Sequence, residues 1–283
     1  MAIEVDHEIP RRDIDFALGD KNDPDWFGGD SYRSAFCDAL SVFFPPGERF
    51  FIRSVAHYLP QLEAYPKLRQ EIRGFMGQEA LHTREHEAYN QRLREMGYPV
   101  DGMEQRAVDE LAMVKSPLHQ LAFTVALEHL TATLAHIVLR DGQVFSEAPE
   151  AYRELWTWHC LEEMEHKGVA FDVYRIVTAE MSGWQRYALR CMALLLATLD
   201  IHRTLVINMR DILKTRGIFS WRAMFRMIWR YGVFSPGYYR RALPYFVSYF
   251  IPGFDPWKAG KDDDVAKPWQ RHFNRRVKGS ENV

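Results

Sequence analysis

An all-α fold is predicted for this chain of 283 residues from three observations. Four stretches carry apolar residues at the i, i+3/i+4 spacing of one helix face. The strict apolar–polar alternation of a strand is hard to find anywhere along the chain. The breaks between the stretches carry proline and glycine. Four long amphipathic helices in the first two-thirds of the chain suit a bundle. The composition is globular, 47% hydrophobic and 26% charged, and the length allows one large core or a core with a smaller unit attached.

Taken in order, residues 1–43 read as an irregular lead-in, with Pro10, Pro24 and "FGGD" at 27–30. The first bundle helix is expected from Phe44, where Phe44, Phe51, Ile52, Val55 and Leu59 share a face. "PPGE" at 45–48 either starts this helix or kinks it. A second helix runs from about Pro66 to Met96 and ends at "GYP". A third runs from about Pro117 to Arg140 and stops at "DG". A fourth runs from about Pro149 to Met181, before "SGW". The bundle therefore occupies 44–183. Residues 184–250 continue helical, as a basic, aromatic extension packed on the bundle. Its most apolar run, "CMALLLATL" at 191–199, is shorter than the roughly 20 residues of a bilayer span. Flanked by Arg190 and Asp200, it reads as a helix buried against the bundle. Residues 251–283 read as a polar, peripheral tail.

The net charge of −2 hides an asymmetry. Between Trp184 and Phe250 there are ten Arg, one Lys and two Asp, a net of +9, so the remainder carries −11. Basic charge for nucleic-acid binding usually spreads over a domain; here it is confined to one segment, and no nucleic-acid partner is expected. The N-terminus lacks the apolar core of a secretory signal. Cys37, Cys160 and Cys191 are odd in number and without CxxC spacing, which fits reduced thiols in a cytoplasmic protein. No Gly-x-Ser-x-Gly, phosphate loop or dinucleotide fingerprint appears, so serine hydrolase and nucleotide chemistry lack support.

The informative pattern is a duplicated one. Glu79 and His82 form a Glu-x-x-His on the second helix, and Glu163 and His166 form another on the fourth. The first and third helices each carry one glutamate on an apolar face. Glu48 sits among Phe44, Phe51, Ile52 and Val55; Glu128 sits among Leu121, Val125 and Ala132. A carboxylate on a buried stripe is costly unless it is paired or binds metal. Residues i and i+3 project from the same side of a helix. Four such helices facing inward supply four carboxylates and two imidazoles, the donor set of ferritin-like di-iron or di-manganese bundles. Carboxylate oxygen with imidazole suits iron or manganese better than a thiolate-seeking metal. His86, four beyond His82, and His159, four before Glu163, share these faces. Either can be a seventh ligand or a hydrogen-bond partner of a ligand, with His159 the first choice. Glu162 and Glu165 lie off the ligand arc and read as solvated or ion-paired. His129 and His136 read as structural, and Thr124, Thr131, Ala132 and Ala135 beside Glu128 leave room for a small molecule.

The stretches "FPPGERFF", "QEALHTREH", "ALEHLTA" and "WHCLEEMEHKGVAFDVY", with the later "IPGFDPW", resemble the bacterial family called predicted metal-dependent hydrolases over nearly the whole chain. That resemblance implies a ferritin-like fold, although "FDPWK" departs from the "FHPWD" expected of the family. The order Glu, Glu-x-x-His, Glu, His-x-x-x-Glu-x-x-His is also similar to that of the di-iron arylamine N-oxygenases. Carried over residue by residue, it implies the ligands Glu48, Glu79, His82, Glu128, His159, Glu163 and His166; His86 has no place in it.

The leading expectation is an enzyme that holds two iron ions (manganese being the alternative) and uses dioxygen to oxidise a small organic substrate. Glu79 and Glu163 would bridge the ions as the catalytic carboxylates. A di-metal hydrolase, as the family's description says, is the alternative, and a non-enzymatic metal store or sensor is the third reading. A buried, carboxylate-bridged site leaves little coordination open to water, which favours redox chemistry. The +9 segment suits an anionic or amphipathic substrate. An ordinary packing layer is the favoured reading of that segment, peripheral membrane contact the less favoured one, and a homodimer is left open.

Overall fold

The computed structural model of the chain describes residues 9–18, 23–259 and 263–280, which are helical without a strand. The first eight residues of the expected lead-in and the last three of the expected tail lie outside them, as do 19–22 and 260–262. The helices are α1 (Ser31–Ala56), α2 (Pro66–Glu95), α3 (Val100–Ala112), α4 (Pro117–Asp141), α5 (Glu150–His166), α6 (Val169–Val177), α7 (Gly183–Thr215), α8 (Trp221–Met227), α9 (Tyr238–Ser248) and α10 (Asp263–Ser280). A π-helical segment, Ile228–Phe234, joins α8 to the turn before α9.

Helices α1, α2, α5 and α4 close a ring in which each packs on two of the others. The apolar residues inside fall into two clusters stacked along the bundle. Along α1 the first cluster contributes up to Phe44 and the second begins at Phe50, with Glu48 between. Along α2 the second cluster reaches Phe75 and the first takes over at Leu81, with Glu79 between. On α4 the changeover lies between Leu127 and Ala135, beside Glu128. On α5 and α6 it lies between Met164 and Val169, beside Glu163 and His166. The four acidic positions therefore share one polar layer between two apolar ones.

The same order fixes direction. α1 and α5 run from the first cluster to the second, and α2 and α4 run back. Because α2 and α4 point the same way, the link between them must return along the bundle, and it does so through α3, which packs on α1 and α7. A bundle with one long crossover is the ferritin-like topology.

Two boundaries differ from the sequence-based expectation. α1 begins at Ser31, capped by Asp30, whose carboxylate accepts from the Tyr32 and Arg33 amides. Pro45 and Pro46 lie within it rather than at its start. Proline at 45 removes the hydrogen bond that would reach the Ser41 carbonyl, and Asn90 Nδ2 donates to that carbonyl instead, at 3.3 Å. The long fourth helix divides into α5 and α6 at Lys167–Gly168. A Cβ at Gly168 would stand 2.2 Å from the Trp257 ring, whose Nε1 donates to Asp172 at 2.7 Å. The break thus accommodates a chain segment some ninety residues away.

The flanking segments are also less peripheral than expected. In the lead-in, Arg12, Ile14 and Phe16 are buried, crossing α2 where Gly77 leaves room for the Arg11 side chain. In the tail, α10 packs on α5 and α4 and buries Phe273 fully. The run 191–199 is only half buried: Cys191, Ala193, Leu194 and Ala197 face the protein, while Met192, Leu195, Leu196 and Leu199 face outward.

Candidate metal centre

The layer between the two clusters collects Glu48 from α1, Glu79, His82 and His86 from α2, Glu128 from α4, and His159, Glu163 and His166 from α5. All are at most 2% exposed. Two sets of donor atoms lie close enough to share an ion. Glu79, His82, Glu163 and His166 form one set, and Glu48, His86 and His159 the other, with the donors of each set within 4.8 Å of one another. All eight residues singled out from the sequence are therefore in one place.

Glu163 and Glu79 each lie near more than one imidazole. Glu163 Oε1 lies 3.1 Å from His159 Nε2, 3.7 Å from His82 Nδ1 and 3.9 Å from His166 Nε2. Glu79 lies 3.4 Å from His166 Nε2 and 3.8 Å from His82 Nδ1. Glu128 Oε2 meets His166 Nδ1 at 3.0 Å, and Thr83 Oγ1 donates to Glu48 Oε2 at 2.8 Å.

A buried polar atom without a hydrogen bond costs about 1–3 kcal/mol. Such atoms are concentrated here: Glu48 Oε1, both Glu79 oxygens, His82 Nδ1, Glu128 Oε1, His159 Nε2, Glu163 Oε2 and His166 Nε2 have no hydrogen-bond partner among the described residues. Together they amount to a penalty on the order of 10 kcal/mol unless a cation meets them. Each can bind a cation, His166 after its ring gives up a proton, and hard oxygen and imidazole nitrogen suit a divalent ion such as iron or manganese. The donor set therefore fits a metal pair.

His86 differs from the other seven. Its Nδ1 is 2.9 Å from Ser41 Oγ and its Nε2 is 2.9 Å from His159 Nδ1. The direction of these bonds follows from their far end. Asn90 Nδ2 donates to Ser41 O and to Glu104 Oε1, which leaves its oxygen to accept the Ser41 hydroxyl proton. Ser41 Oγ must then accept from His86 Nδ1–H. Burial pulls His86 well below its ordinary pKa, so its ring is neutral and Nε2 is an acceptor. His159 Nδ1 therefore carries the proton, and His159 Nε2 presents its lone pair to the layer. This chain orients His159 as a hydrogen-bonded partner orients a ligand.

His82 has a comparable support. Its Nε2 lies 3.1 Å from Glu162 Oε2, and Glu162 is held by Arg12 at 3.2 Å. Arg12 also pairs with Glu165 at 2.7 Å. Glu162 is fully buried, so the reading of it as solvated fails and the ion-paired one stands. Neither Arg12 nor Glu162 was legible as part of this site, because the contact joins an irregular N-terminal segment to a helix 150 residues later. His129 and His136 serve packing: the first is 3.1 Å from the Tyr245 carbonyl and the second 2.7 Å from the Tyr245 hydroxyl.

The electrostatics of the layer's own groups follow burial. Burial pushes Glu48 and Glu79 well up, with like charges adding to it at Glu79. It raises Glu128 to about 7 against the pull of His166, and lowers His82 to about 3 and His159 to about 4. Burial also acts against Glu163, but the charged His166 ring pulls that carboxyl down. His166 moves up to about 9, Glu128 and Glu163 overcoming its burial. The lining around these groups is aromatic: Phe75 packs edge-on to His166, Trp158 edge-on to His82, and Phe44 lies against both His86 and His159. None of the eight layer residues lines the small cavity of ≈ 30 Å³ bounded by His129, Ala132, Thr133, His136, Met164 and Tyr245. That is room for a diatomic molecule or a water.

No curated protein and no solved structure matches the chain. A family model does, across residues 10–260, a span that includes the lead-in segment bearing Arg12, all four bundle helices and the aromatic "FDPW" segment. The chain belongs to the family described as predicted metal-dependent hydrolases.

Proposed function

We propose that this chain is a di-metal carboxylate oxidoreductase that uses dioxygen to oxidise a small organic substrate. Its ions would be two irons, with manganese the alternative. Glu79 and Glu163 would bridge them, Glu48 and Glu128 would be terminal ligands, and His82, His159 and His166 would complete the coordination. The observation that carries this reading is the set of hydrogen-bond-free donor atoms, which falls on these seven residues and leaves out His86. Two ferrous ions held there would supply electrons for reducing dioxygen, the chemistry also implied by the resemblance to di-iron arylamine N-oxygenases.

The chain's own residues would do the rest. The Ser41–His86–His159 chain keeps the His159 Nε2 lone pair facing the layer. Once His82 Nδ1 is a ligand, its Nε2–H faces Glu162, where Arg12 opposes the upward push that burial gives that carboxyl. Phe44, Phe75 and Trp158 keep bulk water away from the layer.

The second reading, a metal-dependent hydrolase, rests on the family's description. Hydrolysis needs water delivered to the ions and a polarised ester or phosphate beside them, whereas these ligands are at most 2% exposed. One experiment separates the two. Protein loaded anaerobically with ferrous iron should consume dioxygen on mixing, with a visible absorption change that Glu163→Ala abolishes. Turnover of esters or phosphates by zinc-loaded protein, with no oxygen uptake by the ferrous form, would establish the hydrolase instead.

A further inference from the structure

Helix α7 is long and apolar enough to cross a membrane by length and composition, as is α4, but the two are placed differently. In α4 78% of the most apolar window is buried, as befits a bundle core; in α7 only 33% is. The inner face of α7, through Leu194, Ala197, Met209 and Leu213, is packed on the bundle. A helix anchored along its length in this way lies against the protein and does not span a bilayer.

Its outer face carries an apolar stripe at helical spacing: Met192, Leu195 and Leu199, the last 70% exposed. The stripe does not stop with α7. On α8 and the π-helical segment, Trp221, Phe225 and Trp229 recur every four residues and stand exposed, with Phe225 and Trp229 stacked at 6.0 Å. On α9, Tyr239, Leu243 and Val247 repeat the same spacing, again exposed. These elements adjoin one another, since Tyr239 lies against the His202 ring of α7 and against Gly232 of the π-helical segment. Three neighbouring elements thus each leave an apolar row uncovered, more than the scattered single residues normal for a soluble surface.

The charge beside these rows selects the occupant. Residues 184–250 carry +9. Some of that charge is neutralised within the fold, by Arg203 with Glu110, Arg216 with Asp25 and Arg241 with Asp141. Arg222 and Arg226, each adjacent to an exposed aromatic, are exposed and make no ion pair among the described residues. Of the two acids in the segment, Asp211 is held by Arg106 and Arg210, and Asp200 is half-buried beside Leu199. A second copy docking by two-fold symmetry would set this basic face against itself. An anionic lipid surface offers the opposite charge together with an apolar layer for the rows, and Trp, Tyr and Arg are the residues that settle at that depth. We propose that the face formed by α7, α8, the π-helical segment and α9 docks the protein in-plane on a membrane bearing anionic headgroups.

The test is co-sedimentation of the full chain with vesicles of phosphatidylcholine alone and of phosphatidylcholine with about one-third phosphatidylserine. Binding should be strong only to the anionic vesicles, fall with salt, and shift tryptophan emission to the blue. Arg222→Glu and Arg226→Glu should each weaken it at least about fivefold. The pair Leu199→Asp with Phe225→Asp should abolish it, with far-UV circular dichroism unchanged. Failure of the full chain to sediment with anionic vesicles at low salt would overturn the proposal, as would equal binding by these variants. A concentration-dependent dimer that Leu199→Asp dissociates, without vesicle binding, would assign the face to a second copy and overturn it equally.

Discussion

Replacing Arg12 by methionine tests whether the segment before the bundle is part of the candidate centre. The guanidinium is 2% exposed. It donates to Glu162 at 3.2 Å, to Glu165 at 2.7 and 2.8 Å, and to Asn274 at 2.8 Å. Removing one partner of a buried ion pair costs about 3–5 kcal/mol, because a charge is left uncompensated. The two carboxylates would not suffer alike. Glu165 keeps Gln78 Nε2 at 3.1 Å and Gln270 Nε2 at 2.8 Å, whereas among the described residues Glu162 keeps only His82. Burial already pushes Glu162 up to about 8, so it can shed its charge by taking a proton, which sets the loss at the low end, about 3 kcal/mol. Methionine retains the apolar length of the side chain, so lost packing is a small part of this. Urea unfolding of the metal-free protein at pH 7 measures the loss, and the double variant with Glu162→Gln should recover part of it. A manganese titration should show a roughly 10- to 100-fold weaker site, because His82 loses its fixed orientation. A loss below about 1 kcal/mol with unchanged metal affinity would refute the reasoning and leave Arg12 a surface accessory.

Three further outcomes are expected. His159→Ala should lose one metal ion, while His86→Ala should keep both and change mainly reactivity; metal counts on the two variants decide, and the reverse pattern would make His86 the seventh ligand. Gly168→Ala should destabilise by about 1–3 kcal/mol through collision with Trp257, and Trp257→Leu in the same chain should restore most of it in denaturant melts. Asp38, buried where Trp26 and Tyr89 donate to one of its oxygens, is raised by burial from 3.8 to about 7. The fold therefore holds a proton that the unfolded chain gives up, and stability should fall as pH rises from about 4 to about 7, by at most about 4 kcal/mol. Asp38→Asn keeps an acceptor for both donors and should flatten this window in pH-dependent unfolding, whereas an unaltered slope would assign it to other groups.

Much of the ligand layer could be read from spacing because it is a local property. A glutamate three residues before a histidine faces the same way whatever surrounds the helix, and a glutamate among Phe44, Phe51 and Val55 announces its own burial. What could not be read depends on partners distant in sequence. Glu162 lies 100° around α5 from Glu163, a direction that would meet solvent on a bundle helix with a free face. On α5 that direction meets α2 and the 9–18 segment, so the charge is buried. Pro45 and Pro46 suggest a helix start because their missing amides usually end one; Asn90 satisfies the Ser41 carbonyl that Pro45 releases, and nothing near Pro45 signals it. The break at Gly168 answers to Trp257. The run 191–199 was the reverse case: its composition suggested a buried helix, and its alternating inner and outer faces leave half of it exposed.

The central claim, that the eight-residue polar layer holds a metal pair, is tested most directly by anomalous diffraction at the iron edge. Crystals would be grown anaerobically from ferrous-loaded protein. Two peaks between Glu79 and Glu163, about 3.5–4 Å apart, with His159 Nε2 and not His86 bound to one of them, are the predicted result. A single peak, a peak at another site, or no peak within the layer would contradict the account.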